Sequence, residues 1–356
     1  MQSLISPQEF SFRLRIWYQS HKRDLPWRHT QNPYYIWLSE VILQQTRVVQ
    51  GLPYYQKFIT QFPTINDLAT AQEQDVLRLW QGLGYYSRAR NLHQTAKIVV
   101  EEHGGIFPDN YAGLLKLKGI GPYTAAAIAS LAFNEKVAVL DGNVYRVLSR
   151  VFGEETDIAS SQAQKIFIKL ANSLLPDTEA DTHNQAMMEL GALQCVPVAP
   201  KCMFCTFNDV CVANNTGRQG ILPIKNKKIS IKNRFFNYIV IENNQKIWLK
   251  KRNEKDIWAG MYDFYLIESH KNLDIDELAR DPFLAQILPN AVIQHQTKPN
   301  IHVLTHQKIH TTFNHLIVNQ EFTPDFLSAL RAYSLDEIDD LPKSTLVNNY
   351  LKEYFF

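Results

Sequence analysis

Four cysteines, all that the 356-residue chain contains, lie together in CVPVAPKCMFCTFNDVC. Their spacing, C-x6-C-x2-C-x5-C, keeps the thiols near enough along the chain to share a metal or to pair. Unequal short spacings favour an iron–sulfur cluster over zinc, whose cysteines usually form two knuckles with a longer spacer between them. Disulfides are disfavoured because such short loops would strain them and a reducing cytoplasm keeps thiols reduced. Zinc and four unligated thiols stay open as alternatives.

A second stretch that could bind a ligand is LKGIGPYTAAA, which contains Gly119 and Gly121. The glycines permit a sharp turn, and Pro122 fits the first position of the following helix because it lacks an N–H. Backbone N–H groups and the positive end of the helix dipole could then approach a phosphate closely. The pattern is that of a helix-hairpin-helix, and a plain tight turn between packed helices is the alternative.

Two acidic residues lie in settings that predict opposite protonation states. Glu40 lies in the apolar stretch WLSEVILQQ, where desolvation favours the protonated acid. Asp141 opens the helix predicted for LDGNVYRVLSR, where N–H groups and the dipole favour the anion. Cleavage of an N-glycosidic bond needs such a proton donor and such a negative charge. For either residue taken alone, a surface salt bridge would be the default interpretation.

The elements that must position these residues fall into two regions. From Pro7 to about Ala213 apolar residues recur at helical spacing, which predicts an all-α region. Residues 217–232, rich in Gly, Pro and Lys, are typical of a basic linker. Beyond it, two β-rich runs flank Asn243, which predicts a hairpin within a smaller α+β domain at 233–356.

Charge and hydropathy limit the classes of function. The net charge of +2 gives no overall basic field, so any nucleic acid must be bound by local patches and backbone amides. The N-terminal stretch lacks the apolar segment of a secretory signal, and no run of about eighteen apolar residues could span a bilayer. A cytoplasmic protein without a membrane role is expected.

The glycine hairpin, LDGNV and the cysteine cluster together resemble the endonuclease III superfamily of DNA glycosylases. Within it, LPWR, WLSEVILQQTRV, LWQGLGYYSRARNLH and HNQAMMELGALQC are similar to the MutY-type adenine glycosylases. The resemblance implies an all-α helix-hairpin-helix core with an iron–sulfur cluster loop, followed by a Nudix-like α+β domain. The predicted boundaries are 1–216 for the helical region, with a six-helix module at about 26–139 and a cluster module from 1–25 and 140–216, and 233–356 for the lesion-recognition domain.

The same resemblance implies an activity in base excision repair. The enzyme would act as a monomer on double-stranded DNA, flipping out and hydrolytically removing adenine mispaired with 8-oxoguanine or guanine. Glu40 would protonate adenine at N7, and Asp141, with Asn143 nearby, would stabilise the oxocarbenium-like sugar or attack it. Bifunctional relatives have a lysine where this chain has Tyr123, so no amine is offered for a Schiff base and a monofunctional enzyme is expected. The resemblance implies that Tyr123 forms a hydrogen bond in the active site, and packing within the hairpin is the alternative.

Further roles are implied by motif position. The ligands of a [4Fe-4S] cluster would be Cys195, Cys202, Cys205 and Cys211. The adenine pocket would be lined by Arg23, Trp27, Arg28, Leu43, Val48 and Gln185. DNA or the lesion would be contacted by Gln45, Leu83, Tyr85, Gly119, Gly121, Leu304, Thr305 and His306. Phosphate contacts for the two arginines, and core packing for Trp27 and Leu83, are the alternatives.

Base flipping requires groups that fill and wedge the vacated stack. Gln45 is expected to intercalate, and Leu83 and Tyr85 are expected to wedge beside the oxidised guanine. Where the family has a Phe-Ser-His turn to contact the lesion, this chain has Leu304, Thr305 and His306. The hydroxyl is therefore kept and a stacking ring is lost.

Three rival functions are weaker. A Nudix hydrolase is not predicted because the glutamate-rich catalytic box is missing from the sequence. No second metal is predicted at His302, His306 and His310, because these histidines lack a nearby carboxylate. Tyr123 and the additional domain argue against an endonuclease III-like enzyme acting on oxidised pyrimidines. A non-catalytic helix-hairpin-helix DNA-binding protein is the main alternative from another class.

Overall fold

The structure is a computed structural model that describes residues 5–226, 231–252, 256–319 and 330–356. The chain divides into two compact units. The first comprises Met1–Thr70 and Asn91–Lys227, and the second comprises Ala71–Arg90 and Lys228–Phe356. Residues 227–230 of the predicted linker lie outside the described residues. A segment from the middle of the helical region, Ala71–Arg90, thus belongs with the C-terminal residues.

The N-terminal two thirds of the chain is helical, as the spacing of its apolar residues predicts. The α-helices are α1 (Pro7–His21), α2 (Pro33–Leu43), α3 (Val48–Gln61), α4 (Ile65–Thr70), α5 (Glu73–Leu79), α6 (Ser87–His103), α7 (Tyr111–Leu114), α8 (Pro122–Phe133), α9 (Gly142–Phe152), α10 (Ala163–Leu174), α11 (Ala180–Leu193) and α12 (Val212–Asn215). Short 3-10 helices span Pro26–Arg28 and Cys202–Phe204. Helix α5 and the start of α6 fall in the second unit.

Two helices at the centre of the first unit are apolar on nearly every face. Helix α2 begins after Asn32, whose side chain caps the N–H of Tyr34, and its residues from Ile36 to Ile42 are buried. Helix α8 starts at Pro122, as predicted, and packs against α2. A helix that is apolar all round must lie inside a fold. Ser39 and Glu40, the polar residues in the buried part of α2, are therefore withdrawn from water.

Helices α9 and α11 pack closely in a second core of the same unit. The contact depends on Gly191, because an added Cβ there would lie 2.9 Å from the carbonyl oxygen of Asn143. Side chains from α1, α9, α10 and α11, with Phe207 from the cysteine loop, fill this core. The start of α9 and the end of α11 are consequently held at one place.

The second unit contains a mixed sheet. Its described strands are β1 (Lys232–Asn243), β2 (Lys246–Lys251), β3 (Tyr262–Asp263), β4 (Tyr265–Ser269), β5 (Ala291–Gln296), β6 (Asn300–Val303), β7 (Gln307–Val318) and β8 (Arg331–Tyr333). The main order is β3-β2-β1-β7-β5, with β4 on β1, β6 on β7 and β8 on β2. Strands β1 and β7 pair in parallel, and the other pairs are antiparallel.

Helices cover both faces of this sheet. They are α13 (Ile275–Leu278), α14 (Pro282–Ile287), α15 (Leu335–Asp340) and α16 (Thr345–Tyr354), and a 3-10 turn spans Leu288–Asn290. Ile239 and Leu316 pack with Leu284 of α14, whereas Phe313 stacks on Tyr350 of α16 with ring centroids 4.2 Å apart. The alternation of side chains along a strand sends these two sets to opposite faces.

The hairpin predicted around Asn243 is confirmed. Asn243 pairs with Lys246, and the two residues between them, Asn244 and Gln245, have φ angles of 50° and 60°. Two central residues with positive φ form the turn whose twist suits a two-residue hairpin. In the part of the chain that the structure describes, no helix is both long and apolar enough to cross a lipid bilayer.

Candidate active site

The carboxyl group of Glu40 is buried in the first unit. Glu40 is 7% exposed on the apolar helix α2, and the hydroxyl of Tyr123, at the start of α8, donates a hydrogen bond to its Oε2. Burial raises the pKa of Glu40 to about 7, although the hydrogen bond from Tyr123 works to lower it. Near neutral pH this carboxyl is therefore able to donate a proton.

The second carboxyl, Asp141, is the N-cap of α9. Its Oδ1 accepts from the N–H of Val144 at 2.7 Å, and its Oδ2 accepts from Nδ2 of Asn143 at 2.7 Å. Burial raises the pKa of Asp141, and these two hydrogen bonds oppose the rise by stabilising the anion. The charge of Asp141 in turn raises the pKa of Glu40, so the two groups interact electrostatically.

Asn143 is held in one orientation by Arg146. The Nη2 of Arg146 donates to Oδ1 of Asn143 at 2.8 Å, and its Nε donates to the carbonyl oxygen of Cys195 at 2.6 Å. The amide nitrogen of Asn143 is thereby turned toward Asp141. A chain of hydrogen bonds connects the carboxylate to the backbone of the first cysteine, a connection that the sequence alone did not reveal.

A buried glutamate that the sequence analysis missed forms ion pairs with two of the predicted pocket residues. Glu189 on α11 has a side chain that is 1% exposed, and it pairs with Arg23 at 2.5 Å and with Arg28 at 2.8 Å. Burial works to raise the pKa of Glu189, but the hydrogen bonds from Arg23 and Arg28 outweigh it and hold that pKa at about 2. Arg28 also lowers the pKa of Glu40, which places this ion cluster beside the catalytic candidates.

The remaining pocket candidates have varied surroundings. Trp27 is buried and meets Tyr55 edge to face with ring centroids 5.1 Å apart, and Gln185 accepts a hydrogen bond from Tyr18 at 2.8 Å. Leu43 ends α2 and Val48 begins α3, both half-exposed. Between them, Gln45 is exposed with a φ of 56°. A non-glycine residue in this left-handed region is uncommon and tends to occur at functional turns.

The glycine hairpin has the geometry that the sequence predicts. Gly119 has a φ of 87°, and an added Cβ there would lie 2.8 Å from Oγ1 of Thr95. Thr95 in turn donates to the carbonyl oxygen of Lys118 at 2.6 Å, which holds the turn. Gly121 caps α8 with open space around it. The N-terminal amides of α8 are thus approachable by an anion.

The candidates for lesion contact meet around one cavity within the second unit. Leu304, Thr305 and His306 form the turn between β6 and β7. The cavity, of about 450 Å³, is lined by this turn together with Leu83 and Tyr85. Leu83 is buried, whereas Tyr85 is exposed and its hydroxyl is hydrogen-bonded to Oγ1 of Thr305.

The four cysteines line one small cavity against the helical core of the first unit. None forms a disulfide, and Nη1 of Arg150 lies 3.4 Å from Sγ of Cys195. Four free thiols around one cavity are the donor set that an iron–sulfur cluster takes. Across residues 5–226, 231–252, 256–319 and 330–356, however, no group of three or more His, Cys, Asp or Glu side chains is arranged to hold a metal ion.

Two family models match the chain, one in each region. The model for HhH-GPD superfamily base excision DNA repair proteins matches residues 38–173, and the model for the NUDIX domain matches residues 237–353. The helix-hairpin-helix core and the Nudix-like domain that the sequence predicts are thereby confirmed.

Curated relatives extend over much of the chain. The adenine DNA glycosylase of Buchnera aphidicola subsp. Acyrthosiphon pisum (strain APS) is 38% identical over 256 residues, which are 72% of this chain and 73% of that protein. The adenine DNA glycosylase of Rattus norvegicus is 43% identical over 222 residues, 60% of this chain and 43% of that protein.

Solved structures match the helical part. A thermostable thymine-DNA glycosylase, 30% identical, superposes with a TM-score of 0.55 over 59% of this chain and 97% of its own. A non-covalent endonuclease III–DNA complex, 19% identical, superposes with a TM-score of 0.51 over 60% of this chain and 99% of its own. The second likeness shows a shared fold.

Proposed function

Since the chain belongs to the family of adenine DNA glycosylases, we propose that it removes adenine mispaired with 8-oxoguanine or guanine in duplex DNA, by hydrolysis and without cutting the strand. The observation that carries the proposal is the group of Glu40, Tyr123 and Asp141, in which a buried acid with a raised pKa feels the charge of a carboxylate stabilised by a helix cap. Cleavage of an N-glycosidic bond uses this combination.

Each carboxyl has its own part in the reaction. Adenine leaves more readily when its N7 is protonated, and Glu40 supplies that proton. Positive charge then develops on the sugar, where the Asp141 carboxylate stabilises it or forms a transient bond to it. Asn143 fixes the carboxylate through its 2.7 Å hydrogen bond. Because Glu40 is buried, the adenine must leave the base stack to reach it.

The absence of strand cleavage follows from Tyr123. The hydroxyl of Tyr123 is engaged with Glu40, and burial raises the pKa of Tyr123 well above its ordinary value. Such a phenol stays protonated and offers no amine for a Schiff base with the opened sugar. The product is therefore an abasic site.

Recognition of the partner base belongs to the cavity lined by Leu83, Tyr85, Leu304, Thr305 and His306. Gln45 intercalates at the vacated position, and the turn at Gly119 and Gly121 binds a backbone phosphate through amides. The adenine pocket takes Arg23, Trp27, Arg28, Leu43, Val48 and Gln185, with Glu189 compensating the charges of the two arginines. The helical region of residues 1–216 carries out the chemistry, and residues 233–356 recognise the lesion together with Leu83 and Tyr85 of the helical region.

The four cysteines hold a [4Fe-4S] cluster in this proposal. Their shared cavity and thiol donor set support it, and the donation from Arg150 to Cys195 is suited to a sulfur that carries negative charge. The cluster would fix the cysteine loop against α9.

One experiment tests the activity directly. The purified chain is incubated in excess over a duplex with one adenine opposite 8-oxoguanine, and the products are separated with and without alkali. We expect adenine release, with strand breaks appearing after alkali treatment alone. Breaks without alkali would contradict the monofunctional assignment, and no release would favour a non-catalytic DNA-binding protein.

We expect the rate of adenine release to fall as the pH rises above neutrality. Burial raises the pKa of Glu40 to about 7, and the protonated form is the active one. Protonated Glu40 predominates below that pH, so the single-turnover rate should decline as pH rises through about 7. A rate that stays flat from pH 6 to 9 (about three units across this pKa) would contradict the role of Glu40 as the acid.

Replacement of Cys202 by alanine is expected to lower the iron content from about four atoms per chain, because three thiolates cannot complete the cluster. Iron and acid-labile sulfide are measured on the purified variant, with Met203→Ala as the matched control, since Met203 is adjacent and 84% exposed. Zinc in place of iron in the wild-type chain would contradict the cluster assignment.

A further inference from the structure

Trp258 has an unusual backbone conformation for a bulky residue. Its φ is 58°, in the left-handed region that tryptophan rarely occupies. Tyr85, which comes from a distant part of the sequence within the same unit, has a φ of 48°. Both residues line the cavity of about 450 Å³ that is also lined by Thr305. Strained residues that gather around one cavity point to a binding function.

The loop that carries Trp258 is fixed by hydrogen bonds on several sides. Arg252 donates from Nε to the carbonyl oxygen of Ile257 at 3.0 Å, and its own carbonyl oxygen accepts from the N–H of Gly260 at 3.1 Å. Arg90 donates to the carbonyl oxygen of Ala259 at 2.7 Å. A strained conformation persists when its surroundings over-determine it in this way.

Arg252 is itself anchored by charge. Its guanidinium donates to Asp256 at 2.7 Å and to Asp263 at 2.6 Å, and the side chain is 8% exposed. Asp256 also pairs with Arg234, which reaches Gln307 at the end of the lesion turn at 3.3 Å. One network of ion pairs and hydrogen bonds thus supports both the Trp258 loop and the opposite edge of the cavity.

The ring of Trp258 is a fixed wall of the cavity. The residue is 8% exposed, and its ring lies edge-on to the rings of Phe236 and His302, with centroid distances of 6.3 Å and 5.8 Å. The guanidinium of Arg252 lies 5.9 Å from the ring centroid. A side chain packed on these sides cannot swing out to intercalate, but it can present a flat apolar surface to a ligand in the cavity.

We infer that Trp258 is a specificity-determining residue whose ring packs against the oxidised purine opposite the target adenine. The inference rests on the proposed function and adds a residue to it. Thr305 and His306 supply polar contacts from the turn, and Tyr85 supplies a second aromatic surface.

The test measures binding separately from chemistry. Duplexes carry a tetrahydrofuran abasic analogue opposite either 8-oxoguanine or guanine, and the ratio of the two affinities is determined for the full chain. The ring stacks on guanine and 8-oxoguanine alike, so its effect on the ratio comes from holding the purine where Thr305 and His306 can contact the oxidised edge. Because such a polar contact is worth about tenfold in affinity, Trp258→Ala is expected to reduce the ratio about 10-fold. Trp258→Phe, which keeps a ring, should retain most of it.

Two further variants keep the result interpretable. Trp258→Leu keeps apolar volume without a ring, so it should lose the ratio even if the alanine variant fails to fold. Trp248→Ala is the matched control, because Trp248 packs against the core cluster of Ile239 and Leu316 and does not line the cavity. It should leave the ratio unchanged while lowering the melting temperature.

The outcomes separate the two proposals. A wild-type chain that binds both duplexes equally would overturn the proposed lesion recognition. A wild-type preference that survives Trp258→Leu and Trp258→Ala would overturn the role of Trp258 alone. Equal weakening on both duplexes would assign Trp258 a general DNA contact or a structural role, which also contradicts specificity.

Discussion

Replacement of Glu40 by glutamine is expected to slow single-turnover adenine release by about 10²- to 10⁴-fold, the usual contribution of a positioned general acid. Glutamine has nearly the same shape and can still accept from Tyr123, but it cannot transfer a proton to adenine. Release is measured under excess enzyme on the duplex with adenine opposite 8-oxoguanine, so that binding does not limit the rate.

The control variant is Glu102→Gln, since Glu102 is exposed on α6 and has no part in the proposed site. It should release adenine at the wild-type rate. Affinity of Glu40→Gln for the duplex should be close to that of the wild type, because the substitution leaves the phosphate-binding turn intact. A Glu40→Gln variant with full activity would mean that another group protonates the base.

The raised pKa of Glu40 illustrates what the sequence can predict. The part of WLSEVILQQ that lies in α2 is apolar on nearly every side of the helix, so burial of the carboxyl follows from the local sequence alone. The start of α8 at Pro122 and the hairpin at Asn243 were predictable for the same reason, since each depends on a few adjacent residues. Local chemistry determines all three features.

Contacts between distant segments were not predictable in this way. Glu189 is separated from Arg23 and Arg28 by most of the helical region, and no local pattern marks it as their partner. Tyr85 and Thr305 belong to different parts of the sequence, yet they share a hydrogen bond because Ala71–Arg90 belongs with the C-terminal unit. Such contacts depend on tertiary packing, which a single sequence does not encode in a readable pattern.

The setting of Asp141 required both kinds of information. Its position at the start of α9 was predictable, and the expected cap to Val144 is present. The helix position favours the anion, but burial acts in the opposite direction and raises the pKa of Asp141 overall. The hydrogen bond from Asn143, oriented by Arg146, is therefore important for keeping the carboxylate charged.

Replacement of Asp141 by asparagine is expected to slow adenine release by about 10²- to 10³-fold, the range seen when one preorganised group that stabilises developing charge is lost. The substitution keeps the shape and the cap to Val144 but removes the negative charge that faces the sugar. The measurement is again single-turnover release opposite 8-oxoguanine. Asp109→Asn, at an exposed residue outside the proposed site, is the matched control and should react at the wild-type rate.

The same variant should also change the pH profile, which a merely structural role for Asp141 would not do. The charge of Asp141 raises the pKa of Glu40, so its removal makes Glu40 easier to ionise and lowers that pKa. The decline in rate, centred near pH 7 in the wild type, should then move to lower pH in Asp141→Asn. Full activity would sink the assignment of Asp141, and a slow variant with an unshifted profile would mean that the two carboxyls do not act on each other. A slow variant with the shifted profile would support an electrostatic interaction between the two carboxyls. The charge of the Asp141 carboxylate would then help to keep Glu40 protonated.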